Sequence, residues 1–383
     1  MEATKTITVL TAALLLGASA ASALPINSGN DKVQLKLYGE VNRAVMYADD
    51  GHQDKVFHVD NTNAETRVGL NGEVAAVDYL TVGSTIELKW QANPSHAVSM
   101  DEESIAGEFQ NEKIEVYFDF KNAGKFSIGQ GSMASDGASE VDLSGTDIIG
   151  NSGVADVGGG LKFYDAASGG YDGEQGTVVG EAFKRQCCDL FNRITTDGLG
   201  KRQRVRYDTP TFAGFSLAAA AGEADSADVA LNYAGEVGGN QLKAMAAWSN
   251  PGEGSDYAQI NASASLLLNV GLNFTAGFGT HDMDTLPNNG DDPMFTYGKI
   301  GYKCDQLFSV GSTAVSVDYG IYKNGTALDI EQEATATGVQ FVQELSAYST
   351  QLYAAWRNFA LEDNTKADYK DISIIIAGAH LTF

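Results

Sequence analysis

The chain has 383 residues, 43 of them glycine and only 6 proline, and its 25 basic against 50 acidic residues give a formal net charge of −25. With 43% hydrophobic residues it is too apolar for disorder, and at that charge it is no nucleic-acid binder. Three cysteines, the adjacent Cys187 and Cys188 and the distant Cys304, make no disulfide framework in a chain this long.

Residues 1–23 read as a secretory signal peptide. Lys5 is their one positive charge, an apolar run follows from Ile7 to Leu16, and Ala21-Ser22-Ala23 fits the small-x-small cleavage rule, with cleavage after Ala20 as the alternative. That run is about half the ~20 residues a helix needs to span a bilayer. No other run comes close, which excludes a helical membrane protein. Export then leaves periplasm, medium or outer membrane.

The mature part, 24–383, reads as strands near 33–47, 63–73, 79–91, 112–120 and 125–130. They resume near 202–209, 215–222, 228–235, 241–249, 257–268, 272–281, 294–303, 313–323, 337–343, 348–361 and 369–383. The stretch 79–91 sets the pattern. Leu80, Val82, Ile86, Leu88 and Trp90 share one parity with Ser84, while Thr81, Gly83, Thr85, Glu87 and Lys89 share the other. The same two-faced alternation recurs over 258–266, 272–279 and 315–321, and its apolar members are often small, which suits lipid or a flat subunit contact better than a jigsaw core.

One such strand fits a soluble sandwich as well as a membrane barrel, and the connections discriminate. Short turns at 121–124, 210–214, 269–271 and 344–347 alternate with longer polar loops at 48–62, 92–111, 282–293 and 324–336. Long loops on one rim, short turns on the other and about sixteen strands predict an all-β, transmembrane antiparallel barrel. Glu87, Lys89 and Asp318 then fall on the lumen wall, although Glu87 and Lys89 also suit pairing with a neighbouring strand. Arg43 breaks the rule by sharing the parity of Val41 and Val45, which points to a bulge or a subunit contact.

Residues 131–201 interrupt the rhythm on the long-loop side, and a connection of that length is either disordered or functional. Its first part holds Asp136, Glu140, Asp142, Asp147 and Asp156 with hardly a basic residue. Arg202, Arg204 and Arg206 follow on one face, opposite Val205 and Tyr207. Three guanidinium groups toward lipid would be very costly, so they face the lumen. His52, His58, His96, His281 and His380 are scattered, and neither a nucleophile elbow nor HExxH occurs, so an enzyme is not expected. No cofactor or metal motif appears. Cys187 and Cys188 lack a histidine near them, and Asp282, Asp284, Asp291 and Asp292 read as a solvated loop more readily than as a divalent cation site toward lipopolysaccharide.

At this point the chain resembles the trimeric general-diffusion porins of Gram-negative outer membranes. The matching pieces are LKLYGEV, ETRVGLNGE, IELKWQAN, GKFSIGQG before the long connection, RVRYDTPTFAGFSL after it, QLYAAWRNFAL and the terminal IAGAHLTF, in order across nearly the whole mature chain. The resemblance implies a third long loop folded into the lumen. Arg67, Lys113, Arg202, Arg204 and Arg206 would line the wall opposite Asp136, Glu140, Asp142 and Asp147 of the loop, with a transverse field across the constriction. It also implies a homotrimer in outer-membrane lipid and lipopolysaccharide, Phe383 as the signal read by the barrel assembly machinery, and passive diffusion of small hydrophilic solutes. The net charge of −25 and the acidic loop lean the selectivity toward cations, which the local arginines oppose. Glu40, Gln130 and an apparent insertion at 155–193 depart from the family pattern. A substrate-specific channel for sugars or carboxylates is the alternative, for which Tyr117, Tyr257 and Tyr322 are candidate aromatic contacts.

Overall fold

The computed structural model describes residues 24–27, 32–171, 198–255, 257–283, 292–324 and 331–383. The signal segment 1–23, Cys187, Cys188, Asp284 and Asp291 lie outside the described residues, as does the insertion beyond Tyr171. The strands are β1 (Leu24–Asn27), β2 (Gln34–Asp49), β3 (Asp54–Asp60), β4 (Arg67–Val77), β5 (Leu80–Gln91), β6 (Glu108–Phe120), β7 (Gly124–Ser132), β8 (Tyr164–Asp165), β9 (Gly170–Tyr171) and β10 (Lys201–Asp208). They continue as β11 (Phe215–Gly222), β12 (Ala227–Val237), β13 (Asn240–Asn250), β14 (Tyr257–Leu267), β15 (Leu272–Met283), β16 (Met294–Phe308), β17 (Gly311–Lys323), β18 (Gln332–Leu345), β19 (Thr350–Asp363) and β20 (Ile372–Thr382).

Except for the small β8–β9 hairpin, the strands form one antiparallel sheet of 18 strands. β1 is a short addition along the foot of β2, and β3 with β4 together make one stave against the upper and lower halves of β2, leaving 16 staves in a closed barrel. Closure is made by β20 along β2, in register from Glu40 opposite Thr382 to Asp49 opposite Ser373. Below that, Gly39 and Phe383 exchange two backbone hydrogen bonds of 3.0 and 2.9 Å. A Cβ at Gly39 would come within 2.7 Å of the Phe383 ring, so glycine is needed for this approach.

The apolar parity faces outward. On β17, Val317 is 53% exposed while its neighbour Asp318 is 1% exposed. Val229, Ile260, Phe274, Ile300, Phe341 and Ile375 are exposed in the same way on other staves. An interior of polar side chains under an apolar belt is the inverse of a soluble core and is the arrangement lipid demands. Near the short turns, the exposed Phe126 and Phe215 pair across strands with the half-buried Tyr207 and Tyr233, at 4.9 and 4.7 Å between ring centroids. Aromatic girdles of this kind sit at the membrane–water boundary.

Two expectations need correction. The stretch 48–62, read as a long polar loop, is mostly strand: Phe57 and Val59 of β3 are buried inward while Val56 and His58 are exposed. The flanking charges hid this alternation, and the turn itself is tight because the Asp50 carboxylate accepts from the backbone N–H groups of His52 and Gln53 at 3.0 and 2.8 Å. The rims are also less regular than the loop lengths implied, since β11 and β12 are joined at the long-loop rim by only Glu223–Ser226. Arg43 faces outward on an unbulged stretch of β2, with its guanidinium donating to the Ala92 carbonyl at 2.7 Å and lying 3.6 Å from the buried Asp60 carboxylate.

Candidate functional site

Residues 133–171, which follow β7, are rich in Gly, Ser and Ala, and these small residues let the backbone run close against neighbouring groups. Asp228 of β12 accepts from the backbone N–H groups of Ala134 and Ser135 at 3.1 and 2.7 Å and from the Ser135 hydroxyl at 2.6 Å. Ser263 and Ser265 of β14 accept from Val141 and Leu143 at 3.0 and 2.9 Å, and Tyr322 of β17 donates to the Ser152 carbonyl at 2.6 Å. Each partner lies on the inward parity of its strand. Further on, Val154, Val157, Leu161 and Phe163 join a buried apolar cluster with Phe359, Ile372, Ile374 and Ile376. Gly158, at φ +81°, brings the backbone so near Ile374 that a Cβ would lie 2.1 Å from its side chain.

A second set of polar side chains lines β2 to β10. Glu40 Oε1 is 2.7 Å from Arg67 Nε, and Glu40 Oε2 is 2.6 Å from His380 Nε2. Glu87 lies between Arg67 at 3.6 Å and Lys113 at 3.5 Å and also accepts from the Tyr38 hydroxyl at 2.6 Å. Above it, Lys89 is 3.0 Å from Glu65 and 2.8 Å from Glu112, which is in turn 3.0 Å from Lys201. Arg204 pairs with Glu115 and Arg206 with Asp208, while Arg202 donates to the Pro251 carbonyl at 2.8 Å. Of the bases that the resemblance placed on the wall, Arg67, Lys113, Arg204 and Arg206 each lie beside an acid of the strands, and Arg202 beside a backbone carbonyl. A field set up by unopposed wall bases is therefore not what the geometry provides.

The acids of 133–171 differ sharply from one another. Asp142 faces the wall, its side chain 3% exposed and 2.6 Å from the ammonium of Lys299, which is itself fully buried and also donates to Thr146 Oγ1 at 3.2 Å and to the Gly150 carbonyl. The expectation that Asp142 meets channel water is thus corrected, because an ammonium without access to water requires a carboxylate beside it. Asp318 is likewise inward but sealed, held by Arg357 at 3.0 Å, Tyr297 at 3.0 Å and Gln340 at 2.7 Å. Asp136 and Glu140 are half-buried and Asp136 is 4.0 Å from Lys201, whereas Asp147 is exposed. Asp147 opens onto water but is partly shielded by the protein around it. That partial desolvation, and then the neighbouring Asp142 carboxylate, raise its pKa above the ordinary aspartate value.

Glu40, Glu65, Glu112, Glu115, Lys201, Asp228, Lys299, Arg357 and His380 take part in these networks, and the sequence reading assigns none of them to the site. Strand parity carries part of the signal, since Lys299 and Arg357 alternate with the outward Ile300 and Trp356. Among the described residues no group of His, Cys, Asp and Glu is arranged to hold a metal ion, and Cys304 is a free thiol.

A family model described as Gram-negative porin matches residues 8–364. This chain belongs to the Gram-negative porin family. No curated protein sequence matches it. Among solved structures it is similar to an anion-selective porin from Comamonas acidovorans, at 15% identity and a TM-score of 0.61 over 92% of this chain and 100% of that one. It is similar to OprB of Pseudomonas putida at 9% identity, TM-score 0.60, over 91% and 94% of the two chains. OmpF of Salmonella typhi in complex with daunomycin matches at 13% identity, TM-score 0.55, over 94% and 100%. At these identities the likeness is one of fold. As a porin, the protein resides in the outer membrane of a Gram-negative bacterium.

Proposed function

We propose that this porin is a general-diffusion channel, a water-filled passage for small hydrophilic solutes and ions with a preference for cations, assembled as a homotrimer. Sixteen staves enclose more space than side chains fill. The observation that carries this reading is the inward set of charged side chains on β2 to β10 under an outward apolar belt. Residues 133–171 form the constriction on this reading, held to the inner faces of β12, β14 and β17. Asp136, Glu140 and Asp147 then meet the passing solute, with Arg67, Lys113, Lys201 and the arginines of β10 opposite. Small polar solutes replace the hydrogen bonds of the water they displace there, and apolar ones do not. The Comamonas protein is named as anion-selective. The excess of acids in the present chain supports the opposite preference.

A channel specific for sugars or carboxylates has less support. Tyr322 is 1% exposed beneath Ser152, Tyr257 stacks on His281, and the Tyr117 ring carries Lys125 over its face at 4.3 Å, so the three do not form one track. The acid-rich chain forms a channel rather than an enzyme on this reading. Swelling of proteoliposomes in sugars of graded size tests it. A smooth decline of rate with solute size is expected, and saturation or block by one sugar would overturn the general-diffusion reading. A trimer band in detergent that collapses to a monomer on boiling is expected alongside.

A further inference from the structure

We propose that the buried wall carboxylates Glu87 and Glu112 are selectivity determinants of this channel, because they mask a basic arc that would otherwise make it select anions. The inference rests on the channel reading above and names what sets its sign. Five wall cations, Arg67, Lys89, Lys113, Lys201 and Arg204, each lie within 4 Å of a wall carboxylate. Two of those acids do double service: Glu87 sits between Arg67 and Lys113, and Glu112 between Lys89 and Lys201.

The depth of the two groups matters. The Glu87 and Glu112 side chains are 3% and 5% exposed, while Lys113 and Lys201 are 26% and 30% exposed. The carboxylates lie behind the cations and away from the water, so they offer passing ions no binding site of their own. Their effect is the charge they contribute within a Debye length of ~8–10 Å, the distance over which ions in the passage respond to a wall charge. With both in place the wall is close to neutral, and the acids of 133–171 decide the sign. Without Glu87, Lys113 loses its carboxylate while Arg67 keeps Glu40, and without Glu112, Lys201 loses its 3.0 Å partner while Lys89 keeps Glu65; in each case the arc gains one unit of positive charge.

Glu112 reaches this position through a local irregularity. The β5–β6 register jumps from Glu87 opposite Lys113 to Leu88 opposite Asn111, leaving Glu112 as the extra residue of a bulge. Bulges re-aim side chains, and this one delivers a carboxylate between Lys89 and Lys201.

The test is the reversal potential across planar bilayers in a salt gradient, for the purified trimer or monomer as isolated. Glu87→Gln and Glu112→Gln are each expected to lower the cation-to-anion permeability ratio by about twofold or more, the effect of one unit of charge some ångströms from the passage. The charge-balanced variants Glu87→Gln/Lys113→Gln and Glu112→Gln/Lys201→Gln are expected to return the ratio to that of the parent. A merely structural role predicts instead that each double variant departs further than its single. If one single variant fails to insert, the other single and both doubles carry the test. Channels that form with an unchanged ratio in the single variants overturn the masking proposal and leave the channel reading standing. Absence of any conductance from the unsubstituted protein overturns the channel reading itself.

Discussion

The ammonium of Lys299 lies 2.6 Å from the carboxylate of Asp142, across 157 residues of chain. Both side chains are shut away from water, one on β16 and the other in the segment after β7, so the pair fastens that segment to the barrel. Breaking a buried ion pair from one side costs about 3–5 kcal/mol because the remaining charge has no partner. Lys299→Met is therefore expected to loosen residues 133–171, seen as noisier single-channel current and faster proteolysis within the segment. Lys299→Met combined with Asp142→Leu is expected to recover much of the loss, since two apolar groups leave no orphaned charge. A single variant as quiet and as resistant as the parent would show that other contacts suffice.

Asp228 offers a graded test of the same attachment. Its carboxylate accepts three hydrogen bonds from Ala134 and Ser135, and hydrogen bonds to a charged group contribute about 1.5–3 kcal/mol each. Asp228→Asn keeps an acceptor and is expected to cost less than Asp228→Ala, with the difference read as the temperature at which the folded barrel loses its anomalous gel mobility. Equal losses would mean that the carboxylate does not anchor Ser135.

If the channel prefers cations as proposed above, acid is expected to weaken that preference. The raised pKa of Asp147 means that its proton is taken up while ordinary carboxylates are still ionised. As pH falls through the range above that of an ordinary aspartate, its negative charge is lost, and the cation-to-anion permeability ratio is expected to decline there. Asp147→Asn should start from a lower ratio and show no decline in that window. A parent whose ratio stays flat until the ordinary range would place Asp147 away from the ion path.

The outward face can be probed at Val317. An arginine there would point into hydrocarbon near the middle of β17, at a cost of about 2–4 kcal/mol for the bilayer midplane. Val317→Arg is expected to fold into lipid vesicles with a lower yield and a lower urea midpoint than Val317→Leu. Identical midpoints would mean that this face meets something other than lipid.

How much of this is legible in the sequence follows from the range of each interaction. Parity is local, so Glu87, Lys89, Asp318 and the arginines of β10 could be assigned to the inward face from their immediate neighbours. Pairing is not local. Lys113 meets Glu87 only because of the β5–β6 register, and Glu112 turns inward only because of a bulge that no composition signal marks. Asp142 and Asp147 stand five positions apart in one acidic stretch and look alike in sequence. One is buried against Lys299 and the other open, and that difference is set by strands more than 100 residues further on. The strand β3 is hard to read for a different reason, because three apolar positions, Val56, Phe57 and Val59, between charged flanks are too few to outweigh the polarity of the window.

The seam between β2 and β20 joins residues such as Glu40 and His380 that are 340 positions apart. A chain cut short of β20 would present two unpaired strand edges, and each exposed amide or carbonyl in hydrocarbon is costly enough that no partial cylinder can rest there. Insertion is accordingly all or nothing. Proteolytic surveillance in the periplasm would meet either a finished wall with nothing to grip or an unfinished ribbon that no lipid shelters.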